Sequence, residues 1–138
     1  MPEFKLEIIT PERVFFSGMA ESITINSSEG SLSVLAGHAA MAATAAVGEI
    51  VIRTAEGART AFTTGGFLEV RPDETIMFAQ KCEWPEEIDQ NRARADEELA
   101  QELLLKRQSN REYRESSIML VRALARLRVA NTSIKGDR

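Results

Sequence analysis

At 138 residues the chain holds one domain or two small ones, and its 43% hydrophobic and 28% charged residues separate it from disordered and membrane-embedded chains. Seventeen Lys and Arg against twenty-one Asp and Glu leave a net charge of −4, which gives no global drive toward nucleic acid or anionic lipid. The single cysteine, Cys82, has no intramolecular partner and no signal-like segment opens the chain, so a reducing compartment is expected. The uncharged run Ala36 to Val47 is broken by Gly37, His38 and Thr44 and is shorter than the ~20 residues of a spanning helix, so the expectation is a soluble or peripheral protein.

Proline and glycine divide the chain. All four prolines (Pro2, Pro11, Pro72, Pro85) and seven of eight glycines lie at or before Pro85, and the remaining 53 residues contain only Gly136. The front therefore reads as short strands between turns and the back as helix former. In chain order, Phe4, Leu6 and Ile8 alternate with Lys5, Glu7 and Ile9, the period of a half-buried strand, and Pro11-Glu12 turns the chain. Further strands are predicted at Val14 to Phe16, Glu21 to Asn26, Leu32 to Leu35, Glu49 to Arg53, Arg59 to Thr63, Phe67 to Arg71 and Glu74 to Lys81. Ser17-Gly18, Glu29-Gly30, Gly37-His38, Glu56-Gly57, Gly65-Gly66 and Pro72-Asp73 supply the turns between them. Ala39 to Val47 is read as extended, although alanine favours helix. Strands this closely spaced leave no room for crossover helices, so an antiparallel β-sandwich over 1–84 is expected.

From Pro85 the pattern becomes helical. Pro85 suits a first helical position, and Glu86, Glu87 and Asp89 complement the positive end of the helix dipole. Ile88, Ala95, Leu99 and Leu103 form one stripe, and the polar group Gln108, Ser109 and Asn110 ends the helix. A second helix carries Tyr113, Ser117, Leu120, Leu124 and Leu127. The two must form an antiparallel hairpin over 85–138, giving an α+β chain. From Glu86 to Arg107 there are seven acidic and four basic residues, and from Gln108 to Arg128 two acidic and five basic, so the arms carry net −3 and +3 and attract weakly.

Catalytic constellations are absent. His38 lacks spaced partners for a metal site or triad and reads as structural or interfacial; Cys82 reads as a buried inert thiol. Gly65-Gly66 lacks the following Lys and helix of a phosphate loop. Arg94, Lys106, Arg107, Arg111 and Arg114 read as solvated helix surface. Arg122 and Arg126, four apart, share a helix face on which two guanidinium forks suit an anion, or else simply offset the acidic arm. Two rival classes remain: a nucleic-acid module using the basic second helix, and an enzyme whose titratable groups would have to be Glu21, Glu29 and His38.

The run Ser28-Glu29-Gly30-Ser31-Leu32-Ser33-Val34-Leu35-Ala36-Gly37-His38-Ala39, the segment Thr64-Gly65-Gly66-Phe67-Leu68-Glu69-Val70 and the helix opening Ile88-Asp89-Gln90-Asn91-Arg92-Ala93 together resemble the epsilon subunits of rotary (F-type) ATP synthases, called delta in mitochondria. The resemblance covers nearly the whole chain. It departs at Ala36, where the family usually has proline, and at the small residues from Ala40 to Ala43.

The resemblance implies a non-catalytic central-stalk subunit without a metal or required cofactor, peripheral to the cytoplasmic face of a bacterial membrane, with no nucleic-acid partner. The sandwich would bind the gamma subunit and rest on the c-subunit ring, with a turn containing Glu29, Ser31, Gly37 and His38 approaching the ring. The hairpin would either fold on the sandwich or extend along gamma to the catalytic alpha and beta subunits and block hydrolysis. By the same resemblance ATP is a regulatory ligand, with Ile88 and Asp89 facing adenine, Glu83 assisting, and Arg92, Arg122 and Arg126 neutralising phosphate. Leu99 stands where nucleotide-binding members tend to carry a further basic residue. Apart from the resemblance, Asp89 also reads as a first-turn dipole partner and Arg92 as a surface cation facing Glu86, Glu87 or Asp96.

Overall fold

A computed structural model describes residues 2–106 and 109–134. Arg107 and Gln108, at the expected end of the first helix, and residues 135–138 lie outside the described residues. The chain divides into two compact units, Met1–Glu83 and Trp84–Arg138.

The first unit is a sandwich of two five-stranded sheets. Its strands are β1 (Phe4–Ile9), β2 (Val14–Ala20), β3 (Ser22–Ser27), β4 (Gly30–Leu35), β5 (Met41–Ala45), β6 (Gly48–Thr54), β7 (Gly57–Thr63), β8 (Gly66–Val70), β9 (Glu74–Ala79) and β10 (Cys82–Glu83). One sheet has the order β2-β1-β9-β8-β5 and the other β10-β7-β6-β3-β4. The period of two decides the interior. Leu6 and Ile8, Ile23 and Ile25, Ile50 and Ile52, and Leu68 and Val70 point inward, joined by Phe62 and Met77, and all are buried. Fully burying one such side chain stabilises by ~1.5–3 kcal/mol, so alternation on both sheets makes a core that a chain of this size can sustain.

The sandwich departs from the sequence expectations in four places. Ser17-Gly18 is not a turn, because β2 runs through it, with Gly18 opposite Leu6 and Ser17 opposite Glu7. The pairing is not antiparallel throughout, since β1 and β9 run parallel, from Lys5 beside Glu74 to Ile9 beside Phe78. The last predicted strand, Glu74 to Lys81, ends at Ala79 as β9, and a further short strand, β10, follows at Cys82–Glu83. Gly65-Gly66 does not turn the chain as a pair: Gly65 has φ +112, but Gly66 opens β8, and a Cβ there would collide with the Phe78 carbonyl oxygen. Met41–Ala45 is extended as expected, paired residue for residue with β8.

The second unit opens on a 3-10 turn, Pro85–Glu87, followed by α1 (Gln90–Leu105) and α2 (Asn110–Ile134). The α-helix therefore starts later than Pro85 suggests. Ile88 takes extended backbone (φ −82, ψ 124), and Asp89 caps α1 by accepting from the Arg92 N–H at 3.0 Å. Trp84 N–H donates to Glu87 Oε1 at 2.8 Å, which satisfies the chain at the start of the 3-10 turn. Helices joined by so short a connection and packed on each other run antiparallel.

The buried stripe is also not the expected one. Ala93 and Ala100 are buried on α1, while Ala95 is exposed and Leu99 is 45% exposed. On α2, Ser116, Ala123 and Ala130 are buried seven apart, with Leu120 and Leu127 half-buried between them, while Tyr113 and Leu124 face outward. Counting inward from Leu105 and Asn110 puts Ala100 within about one residue of the level of Ser116, and Ala93 within about one residue of that of Ala123. Small side chains at buried positions on both helices suit a close approach of the two backbones. Ala125 and Val129 are buried on the opposite side of α2, and the Pro85–Glu87 turn lies against this helix.

Candidate functional site

The residues the sequence singles out fall into two groups. In the hairpin, Ile88 is buried between the 3-10 turn and α1, and Asp89 is exposed with its carboxylate engaged as the helix cap. That cap is the role the residues alone suggested for Asp89, in a sharper form than a dipole partner. Arg92 follows on the exposed side of the first turn of α1, and among the described residues its side chain carries no ion pair, so it does not hold Glu86, Glu87 or Asp96.

On α2, Arg122 is exposed and Arg126 is half-buried. The register that matches Ala93 with Ala123 counts Arg92 opposite Leu124, between Arg122 and Arg126, and Asp89 opposite Leu127, next to Arg126. By this count Ile88, Asp89, Arg92, Arg122 and Arg126 all fall toward the end of the hairpin away from its connection. Two arms supply cations there, and guanidinium forks from different helices can hold the oxygens of one polyanion. Glu83 belongs to the sandwich unit, at the end of β10, where Lys81 Nζ lies 3.8 Å from its carboxylate. Leu99 is out of reach of that end, two turns further along α1 and directed to solvent.

The second group does not form one turn. Glu29 and Ser31 lie at the β3–β4 hairpin, where Ser27 Oγ donates to the Gly30 carbonyl at 2.8 Å and accepts from Glu29 N–H at 3.3 Å. Gly37 (φ +79) and His38 follow the far end of β4, where His38 N–H closes the turn onto Leu35 at 3.2 Å. The six residues of β4 hold these turns ~20 Å apart, because a strand rises ~3.3 Å per residue. The single ring-facing turn expected from the sequence is therefore two turns. Glu29 and His38 are separated by the same strand, so the titratable groups an enzyme in the sandwich would need do not converge.

Sequence reasoning missed a row on the outward face of the first sheet. Val14, Ile9, Phe78 and Phe67 stand side by side across β2, β1, β9 and β8, and Phe67 and Phe78 are 45% and 46% exposed. The signal was present, since in Phe67-Leu68-Glu69-Val70 the alternation that buries Leu68 must turn Phe67 out. Contiguous outward aromatic and aliphatic side chains make this an exposed apolar row rather than a scatter of single residues. Among the described residues no group of three His, Cys, Asp or Glu could hold a metal, and no helix is long and apolar enough to cross a membrane.

Comparison with known proteins agrees with both halves. Residues 3–85 match the family model for the ATP synthase Delta/Epsilon chain, beta-sandwich domain, and residues 86–131 that for the Delta/Epsilon chain, long alpha-helix domain. The chain is 42% identical to the ATP synthase epsilon chain of Ruminiclostridium cellulolyticum over 95% of this chain and 98% of that one. It is 34% identical to that of Caldicellulosiruptor saccharolyticus over 99% and 100%. Its fold is shared, at 19% identity and a TM-score of 0.81, with a chain of the Euglena gracilis mitochondrial ATP synthase, covering 98% of this chain and 83% of that one.

Proposed function

The chain belongs to the delta/epsilon chain family of ATP synthase as an epsilon-type, non-catalytic subunit, and we propose that it couples and regulates the motor from the central stalk. Torque passes only through an element that resists deformation, which a close-packed sandwich does. The apolar row Val14, Ile9, Phe78 and Phe67 is the surface that suits the gamma subunit, and the polar hairpin turn at Glu29 and Ser31 suits the loops of the c-ring. Gly37 and His38, at the other end of β4, then face a different neighbour. The assembled complex would hold the chain peripherally on the cytoplasmic face of a bacterial membrane, in keeping with the bacterial relatives.

Regulation is assigned to the hairpin. The observation that carries this reading is its seam: Ala93 and Ala100 on one helix and Ser116 and Ala123 on the other are buried but small, so each adds little to holding the hairpin closed. Extended toward the catalytic alpha and beta subunits, the arm of net charge +3 would oppose hydrolysis. ATP, held by Arg92, Arg122 and Arg126 with Ile88 and Asp89 beside the base and Glu83 assisting, would favour the closed hairpin, because a ligand stabilises the state that contains its site. At a hundred times its dissociation constant such a ligand contributes ~2.7 kcal/mol, enough to reverse a small preference.

Two experiments test this. A chain ending at residue 84 should still bind gamma, and the reconstituted catalytic head should hydrolyse ATP faster; unchanged hydrolysis rejects inhibition by the hairpin. Calorimetric titration of the full chain with millimolar ATP should release heat, and Arg92→Ala or Arg126→Ala should weaken the binding. No heat with the unsubstituted chain rejects the nucleotide site and leaves the stalk role intact.

A further inference from the structure

The strand from which the hairpin departs is the least secured of the sandwich. β10 contributes two residues, with Cys82 opposite Thr63 and Glu83 opposite Phe62 at the edge of its sheet. A ladder this short has little stability of its own and would open ahead of the rest of the sheet. We propose that Arg13 staples this exit strand to the sandwich, so that the chain beyond Glu83 changes position without peeling β10 from β7.

Arg13 comes from the β1–β2 turn, on the other sheet, and it is held ready at both ends. Its backbone is fixed by Thr10, whose N–H donates to the Arg13 carbonyl at 2.9 Å and whose buried hydroxyl donates to the same carbonyl at 3.1 Å and accepts from Arg13 N–H at 3.2 Å. Its guanidinium lies over the Phe15 ring, 5.1 Å from the centroid, which limits the rotamers of an otherwise free side chain. From that position Nη2 donates to the Cys82 carbonyl at 3.3 Å. A hydrogen bond from a charged donor that is ordered in advance is worth more than one from a mobile side chain.

The rest of the clasp is built around Thr63. Thr63 Oγ1 donates to the Lys81 carbonyl at 3.1 Å and accepts from Gly65 N–H at 3.1 Å, and the Cys82 thiol points to the same oxygen at 3.7 Å. All of this ties Lys81 and Cys82 inward to β7. Arg13 is the tie from the opposite sheet, and it ends two residues before the second unit begins. A staple there confines the pivot of the hairpin to the stretch from Trp84 to Asp89, where Ile88 already interrupts the helix with extended backbone. Only this consequence for the hairpin rests on the proposed regulation; the staple is a property of the sandwich.

Cys82 gives the test a native reporter, because it is the one thiol of the chain and is 4% exposed. In the full chain, Arg13→Ala should raise the rate at which Cys82 reacts with 5,5′-dithiobis(2-nitrobenzoate) by about tenfold or more, the ratio set by losing one charge-assisted hydrogen bond. Phe15→Leu, which keeps an apolar side chain beneath Arg13 but removes the ring face, should give a smaller increase. Charge alone would act the other way: burial raises the Cys82 pKa and the nearby Arg13 charge lowers it, so removing Arg13 makes the thiol less ionised and slower to react. Amide exchange in β6 and β7 should stay as in the unsubstituted chain. Equal labelling rates in Arg13→Ala and the unsubstituted chain overturn the staple. So does faster labelling accompanied by faster exchange in β6 and β7, which would mean that the whole sandwich had loosened. Either result leaves the effect of hairpin deletion on hydrolysis unchanged, so the staple and the regulatory role fail separately.

Discussion

The two halves of the molecule are closed by different kinds of side chain. Isoleucine, leucine, phenylalanine and methionine fill the sandwich, where Ile23, Ile50, Ile52, Phe62, Leu68 and Met77 have no solvent exposure. Alanine and serine fill the hairpin seam, at Ala93, Ala100, Ser116 and Ala123. A buried methyl or methylene is worth ~0.8 kcal/mol and a large apolar side chain ~1.5–3 kcal/mol, so a similar number of inward positions secures the first unit far more firmly than the second. The lesson is that regular structure and firm attachment are separate properties. Both units are built of regular elements, yet one is a core and the other a seam.

The largest expected effect belongs to the core. Phe62→Ala should cost about 3–5 kcal/mol in denaturant unfolding followed by the sandwich signal, through lost transfer energy and the cavity left behind. A loss no greater than that from a seam substitution would break the contrast. Next comes overpacking of the seam, where Ala93→Leu should destabilise the hairpin by about 1–3 kcal/mol, read as loss of helical circular dichroism on heating. Ala95→Leu, two residues away on the exposed side, is the control and should change little. Removing the α1 cap by Asp89→Ala should cost about 1 kcal/mol and speed amide exchange in the first turn of the helix. At the small end, a double-mutant cycle on Arg111 and Glu115, 3.1 Å apart and both exposed, should give a coupling below about 0.5 kcal/mol that fades in salt.

The sandwich was largely legible because alternation is a direct record of which side is buried, and Phe4–Ile9 and Gly48–Thr54 show it plainly. Partners were less so. Nothing local in Lys5 to Ile9 announces that it lies parallel to Glu74 to Phe78, since that pairing joins distant parts of the chain. Ser17-Gly18 has turn residues but sits in β2, where the ladder to β1 outweighs local preference. Met41–Ala45, rich in helix-forming alanine, is drawn into the sheet by β8 in the same way.

In the hairpin, reading the stripe from its leucines set the face only in part: Leu103, Leu120 and Leu127 are half-buried, whereas Leu99 and Leu124 face outward. Leu99 is turned outward because close helix approach selects alanine, so the largest apolar residues are not the ones at the contact. By count alone the candidate residues of the hairpin fall toward one end of its two arms, because helix register follows from counting. The ring-facing set came apart because a sequence segment of ten residues spans a whole strand, and its two ends cannot be one turn.

The parallel pairing of β1 with β9 also governs how the molecule is made. As the chain leaves the ribosome, β1 emerges first and can pair at once with β2, but its other edge stays open until Glu74 to Phe78 has been synthesised, a wait of several seconds at ~5–20 residues per second. The platform is completed by joining its beginning to its end, so a nascent chain interrupted before β9 leaves that edge of β1 unsealed and open to pairing with other chains.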